Sequence, residues 1–241
     1  MRRYITYGEE RIGFTIRNTP RLARRISIHV LPDGTVTVDA PESMDDSEVV
    51  ATVRRRARWI WQRLRDFHER TRHILPRQYV SGESHFYLGR RYLLKVIVSQ
   101  ADSQSVKLLR GRLEVRTHSN DAAKVCTLLE SWYRQRAAVV FSRRLEACVA
   151  KITWLKEVPS FRLLTMRTQW GSCSPKGELL LNPDLIKAPG PCVEYVIFHE
   201  LCHLREHNHS ARFYELLGGL LPDWQKRKDE LDELAEYLLN K

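Results

Sequence analysis

His199–Ser210 reads HELCHLREHNHS and packs four of the chain's nine histidines, His199, His203, His207 and His209, into eleven residues. On an α-helix His199 and His203 stand four residues apart, so both rings project from one face within reach of a single ion. Glu200 projects from the adjoining angle, where a carboxylate can hold an activated water and take its proton. The apolar run CVEYVIF leads straight into the motif, as a buried active helix requires, and Cys202, on the side away from the ion, reads as core. Distance decides the third ligand. A continuous helix would set His207 on the same face but about 12 Å along the axis from His199, at about 1.5 Å per residue. Zinc–nitrogen bonds are about 2.0–2.1 Å, so a straight helix cannot offer three such rings to one ion. A chain that turns after His203 can return His209 instead. Asn208 suits that break because Asn tolerates the left-handed conformation that ends helices. The expected set is Zn2+ held by His199, His203 and His209, with Glu200 as catalytic base, His207 outside the set, and Glu215 as the weaker rival.

The rest of the composition bounds what such a site can belong to. At 241 residues and 43% hydrophobic, the chain can bury a core in one large domain or two small ones. No apolar run approaches the roughly 18 residues of a membrane span. The opening MRRYITYGEERIG has no apolar stretch of a signal peptide, and the five cysteines, without a CxxC pair, read as reduced thiols. A soluble cytoplasmic protein without a membrane partner is expected. Lys and Arg total 40 against 29 acids, a formal +11. That excess suits an anionic partner such as nucleic acid or a nucleotide, and equally suits solubility alone.

Along the chain, ERIGFTIR, RRISIHVL and GTVTVDA alternate with period two, with PDG as the hairpin turn between the last two. From Asp46 to about His73 the period becomes helical, with Val50, Val53, Ala57, Ile60, Trp61, Leu64 and Phe67 on one face. The other face carries Arg54, Arg55, Arg56, Arg58, Arg63 and Arg65, either a solvated surface or a phosphate contact, while Trp59 lies off the apolar stripe and reads as packing on a neighbouring loop or, alternatively, as stacking on a ligand. Strands return in HFYLG, RRYLLKVIVS, SVKLLR and RLEVRT. A second long helix over about Asp121–Ile152 turns Val125, Leu128, Leu129, Trp132, Val139, Leu145 and Val149 to the core. The short strands FRLLTM and GELLLN flank the loop RTQWGSCSPK, and PDWQKRKDELDELAEYLL closes the chain as a helix. No internal repeat is visible. The fold class is α+β, a strand-rich region over 1–119 followed by a metal-binding catalytic domain with the HExxH helix over 120–241.

The spacing HExxHxxxxxH matches that of the metzincins, but Glu206 replaces their glycine and no Met-turn follows. HELCHLREHNHSARFYELL, preceded by WGSCSPKGELLLNPDLIKAP, YVSGESHFYLGRRYLLKV and RRISIHVLPDGTVTVDAP, resembles the YgjP-like metallopeptidase family, a relative of the SprT-like zincins. The resemblance runs over nearly the whole chain; Gln169 departs from it, standing where the family usually has a basic residue. It implies a zincin-like fold for residues 120–241, zinc on His199, His203 and His209, and Glu200 as general base. In zincins a strand edge beside the active helix receives substrate, so FRLLTM or GELLLN is expected to supply it, with WGSCS as a tight turn near the metal. Cys173 reads as a buried thiol, or as a fourth ligand or redox gate. The expected function is cleavage of protein or peptide bonds by a metal-activated water. The same centre acting on a nucleoside triphosphate as a UTP-type diphosphatase is the alternative, and a nucleic-acid-binding module with a structural metal is a third.

Overall fold

Alternating residues at the start of the chain build a sheet whose inner face is Ile5, Ile12, Phe14, Ile16, Val36 and Val38. The computed structural model describes residues 2–18, 26–30, 34–71, 76–166 and 169–240. It divides into two units, Met1–Leu75 and Pro76–Lys241. In the first, strands β1 (Arg2–Tyr7), β2 (Glu10–Asn18), β3 (Ser27–Val30) and β4 (Val36–Ala40) lie in the order β1-β2-β4-β3. The β2–β4 pair is parallel and the outer pairs are antiparallel. RRYITY is an addition to the expected strands: only Ile5 of β1 is buried, too little to show as alternation, yet the whole strand pairs with β2 from Arg2–Thr15 to Tyr7–Glu10. Pro32 and Asp33 of the expected PDG turn lie outside the described residues.

The expected single helix is two, α1 (Asp46–Arg55) and α2 (Ala57–Thr71), separated at Arg56, whose N–H bonds to the Val53 carbonyl at 3.0 Å. Two features loosen this turn. Val49, Val50, Thr52 and Val53 are β-branched and stiff, and the Thr52 hydroxyl donates to the Glu48 carbonyl at 3.0 Å, a bond that bends helices. The apolar stripe survives the break, with Val49, Val53, Ala57 and Ile60 buried. The side chain of Phe67 lies outside the described residues.

In the second unit, β5 (Ser84–Tyr87), β6 (Arg90–Val98), β7 (Ser105–Leu109) and β8 (Arg112–Thr117) form a sheet in the order β5-β6-β8-β7, again with its central pair parallel. Two hairpins joined through their second strands, then a helix, is therefore a plan used twice in the chain, a repeat of topology with no matching self-similarity in sequence. The β5–β6 turn, Leu88–Gly89, has both φ angles positive. Its N–H groups donate to the carbonyls of Ile186 (2.9 Å) and Lys187 (3.0 Å). A Cβ on Gly89 would stand 2.9 Å from Pro189 Cα, so the hairpin tip is seated directly on the chain.

Helix α3 (Ala122–Val149) starts with Asp121 accepting the Ala123 N–H at 3.1 Å. Its buried residues include Val125, Leu129, Tyr133, Ala137, Phe141, Leu145 and Val149, a strict step of four. Each such step overshoots a 3.6-residue turn by about 40°. The buried stripe therefore winds around the helix, and α3 meets β7, β8, β9 (Phe161–Leu163), a 3₁₀ turn at Pro183–Lys187 and α4 (Gly190–Cys202). This corrects Val139: it is in phase with Val125 on a straight stripe, but the stripe has rotated away and Val139 is 62% exposed. The chain is completed by β10 (Gly171–Cys173), β11 (Leu179–Leu181), α5 (Ala211–Leu220) and α6 (Trp224–Leu239). No described helix is long and apolar enough to cross a membrane.

The class is α+β, as expected, but the division of the chain differs from the anticipated boundary at Ser119–Asn120. That position falls inside the second unit, because Tyr87, Leu94, Leu113 and Val115 of the β5–β8 sheet share one core with α3 and α4. The wound stripe has a measurable consequence. Phe141→Ala should cost about 3–5 kcal/mol, whereas Val139→Ser should change stability by less than about 0.5 kcal/mol. Denaturant titration of the two variants checks this, and comparable losses would mean that α3 packs by a straight stripe.

Candidate metal centre

Helix α4 is apolar nearly all round. Cys192, Val193, Val196, Ile197, Phe198, Leu201 and Cys202 are buried, and α3, α5, α6 and β10 surround it. His199 and Glu200 stand in its last turn, and His203 is the first residue past it. The helix ends there rather than at Asn208. Leu204 and Arg205 donate to the carbonyls of Leu201 and Cys202 at 3.1 Å, the tightening that finishes many helices. Asn208 is not left-handed; the positive-φ residues other than glycine are Tyr79, Leu88 and Arg110 among those described. Ser210 then caps α5, its hydroxyl accepting the Phe213 N–H at 3.4 Å.

This reversal brings His209 back to the helix end. One ring nitrogen from each of His199, His203 and His209 lies within 4.8 Å of the others. His199 Nε2 and His209 Nε2 are 2.9 Å apart. The Nδ1–H of His203 donates to the Glu206 carbonyl at 3.0 Å, which fixes its tautomer and leaves Nε2 as the free donor atom. Phe213 packs against all three rings. Burial, then the neighbouring rings of His209 and His203, holds His199 down at about 3. Burial likewise lowers His203, against its bond to Glu206, and lowers His209, with His203 adding to the effect. Neutral imidazoles are the form that binds a cation. Tetrahedral zinc would space such nitrogens about 3.3 Å apart, so the donor set fits an ion of that size. His207 and Glu215 are exposed and outside the cluster.

Glu200 is 5% exposed, and burial pushes its carboxyl up to about 8. It faces β10. A Cβ on Gly171 would lie 2.8 Å from both Cγ and Oε1 of Glu200 and 3.0 Å from Val196 Cγ1. Gly171 is therefore required by close approach; its φ is not positive, and Gly171–Cys173 of WGSC is a strand rather than the expected tight turn. β10 is an outer strand, order β10-β11-β9, antiparallel to β11, which pairs in parallel with β9. The edge beside the active helix thus belongs to WGSC itself. GELLLN is the central strand, and FRLLTM lies on the opposite edge.

Asn182, fully buried, ties this segment down. Its amide donates to the carbonyls of Met166 (2.7 Å) and Gln169 (3.2 Å), its side-chain oxygen accepts from Asp184 N–H (3.1 Å), and its own N–H donates to the Trp170 carbonyl (2.9 Å). The residue went unremarked in the sequence, although Asn before Pro183 is a legible cap signal. Cys173 holds a neutral thiol, raised by burial and by Glu200, that donates to the Ser174 carbonyl at 3.6 Å and does not join the histidines. An open cleft of about 520 Å³ adjoins His199 and His209, bounded by Tyr195, Tyr214, Trp224 and Lys228.

Neutral imidazoles converging beside a buried carboxylate on a helix are what a metallohydrolase brings to its reaction. The chain belongs to the YgjP-like family, metallopeptidase domain, whose pattern it matches over residues 24–234. It is also similar to the UTP pyrophosphatase of Escherichia coli (strain K12), 30% identical over 76 residues. That match takes in 32% of this chain and 46% of the relative, so about half the relative's length is spanned. Two crystal structures of metallopeptidase zymogens resemble part of it. Abylysin of Pyrococcus abyssi has TM-score 0.36 and 19% identity, over 42% of this chain and 97% of its own. Jannalysin of Methanocaldococcus jannaschii has TM-score 0.35 and 18% identity, over 39% and 96%.

The Gly171 contact can be tested without touching Glu200. Gly171→Ala forces either the strand or the carboxylate to move, since Cγ is not a free end. The variant should keep its metal and its melting temperature within a few degrees while hydrolysis falls at least tenfold. Unchanged turnover would show that Glu200 tolerates the displacement.

Proposed function

We propose that the protein is a zinc-dependent peptidase in which His199, His203 and His209 hold the ion and Glu200 is the general base. The observation that carries this reading is the outer strand β10 lying against Glu200. Such an edge can take an extended peptide as an added strand and so present its backbone to the carboxylate and the three rings. A bound zinc ion supplies Lewis acidity, polarising a carbonyl and lowering the pKa of water. The chain's own groups do the rest. Glu200 takes the proton of the attacking water at its carboxylate and delivers it to the leaving amine. Burial raises the proton affinity of this carboxyl, which favours its keeping the proton until the leaving amine takes it. The bond from His203 to the Glu206 carbonyl keeps one nitrogen aimed at the shared point. Asn182 steadies Trp170 and Gly171, and with them the strand that aligns substrate.

A second reading keeps the centre and changes the substrate to a nucleoside triphosphate. It is supported by the likeness to the Escherichia coli UTP pyrophosphatase and by the cleft beside His199 and His209. There Tyr214 and Trp224 stack at 5.2 Å, an aromatic platform suited to a base.

Metal-loaded protein incubated with an unfolded protein and, separately, with UTP distinguishes the two, each beside Glu200→Gln. New peptide termini that vanish in Glu200→Gln are expected; pyrophosphate release that depends on Glu200, with no peptide cleaved, would replace the first reading by the second. Glu200→Gln should retain its metal and lose about 10²–10⁴ in rate.

The ligand set is checked by elemental analysis. His199→Ala, His203→Ala and His209→Ala should each lose most of the bound metal, and His207→Ala should keep about one ion per chain. Loss confined to the His207 variant would displace His209 from the set.

A further inference from the structure

The first unit carries a surface that the metal centre does not use. From Arg54 to Arg65 the chain reads RRRARWIWQRLR, six arginines and no acid. Val53, Ala57 and Ile60 are buried beneath it, which turns Arg54, Arg55, Arg56, Arg58 and Arg63 outward, all exposed. None of these five makes an ion pair among the described residues; Arg55 donates to the Thr52 hydroxyl at 3.1 Å and keeps the rest of its guanidinium free. In their midst Trp59 is 41% exposed, which leaves indole surface for the ligand stacking that its place off the apolar stripe allows. On α2 it is one helical turn from Arg63 and next to Arg58.

The choice of cation separates a binding surface from a merely solvated one. All fifteen basic residues of Met1–Leu75 are arginine, while all ten lysines of the chain lie in Pro76–Lys241. Solubility is served as well by lysine, usually interspersed with acids. Arginine differs in its planar fork, which takes phosphate oxygens two at a time and lies flat on bases and aromatic rings. An exposed indole adds the other half of a known pairing. Unpaired bases stack on aromatic side chains while their phosphates follow a basic track. A duplex offers phosphates but keeps its bases stacked on each other, so it has no use for Trp59.

We propose that the outward face of α1 and α2 binds single-stranded nucleic acid, with Arg55, Arg58 and Arg63 on phosphates and Trp59 stacked on a base. The site is independent of the metal and of whatever the metal centre hydrolyses.

The test uses the full chain and a fluorescent oligothymidine, read by anisotropy across a salt series, with an unlabelled duplex of the same length as competitor. Arg55→Gln/Arg58→Gln/Arg63→Gln should flatten the log–log salt slope by about 0.7 per lost contact, about 2 in all. Trp59→Ala should weaken binding by about tenfold with its slope unchanged, because stacking releases no counterions. The duplex should compete poorly. Both variants alter exposed residues, and unchanged thermal melting shows that they fold. Equal affinity and slope in wild type and the triple variant would overturn the proposal, as would effective competition by the duplex together with indifference to Trp59→Ala.

Discussion

Everything at the metal centre depends on a helix that has almost no solvent face. α4 is held by α3, α5, α6 and β10, and seven of its thirteen residues are apolar or thiol side chains buried against them. A helix packed on every side can neither tilt nor slide without opening a cavity, which is costly at interior density. That rigidity lets a carboxylate remain buried at Glu200, with its proton affinity raised by desolvation. It also gives meaning to contacts of a few tenths of an ångström, such as that between Glu200 and Gly171.

The gathering of the three histidines was legible where its geometry is helical. Four-residue spacing placed His199 and His203, and the length of a zinc–nitrogen bond excluded a straight run to His207, so the return of His209 beside them could be anticipated. The means of return could not. Asn208 offered a plausible break, yet the helix ends five residues earlier by tightening its last turn at His203. Gly171 looked like a turn glycine, because a sequence does not distinguish a residue that needs a special φ from one that a helix approaches. The same limit hid Asn182, whose partners Met166, Gln169 and Trp170 are neighbours only once β11 is formed.

The elements were read more readily than their grouping. Strand and helix periods lie within a dozen residues and show directly, as in β5–β8 and α3. A buried stripe stepping by four instead of 3.6 looks straight over three turns and has rotated by the fourth, and Val139 was misplaced for that reason. The division into units differs from the change of period for a related reason. The change from strands to helices near residue 120 is a change of local period, whereas a unit is defined by a shared core, and Leu94, Leu113 and Val115 share theirs with α3. The twice-used plan of paired hairpins and a helix is a matter of which strands pair, which periodicity does not encode.

The seating of the Leu88–Gly89 turn bears on how the molecule can be cut. Two carbonyls just ahead of α4, those of Ile186 and Lys187, take their N–H partners from that hairpin tip, and the tip rests on Pro189, where the helix begins. A fragment begun at residue 120 would contain every histidine of the centre and Glu200, yet would leave those carbonyls bare and strip the sheet from α3. A fragment that keeps this shared core whole has to begin near Pro76, ahead of the sheet that α3 covers.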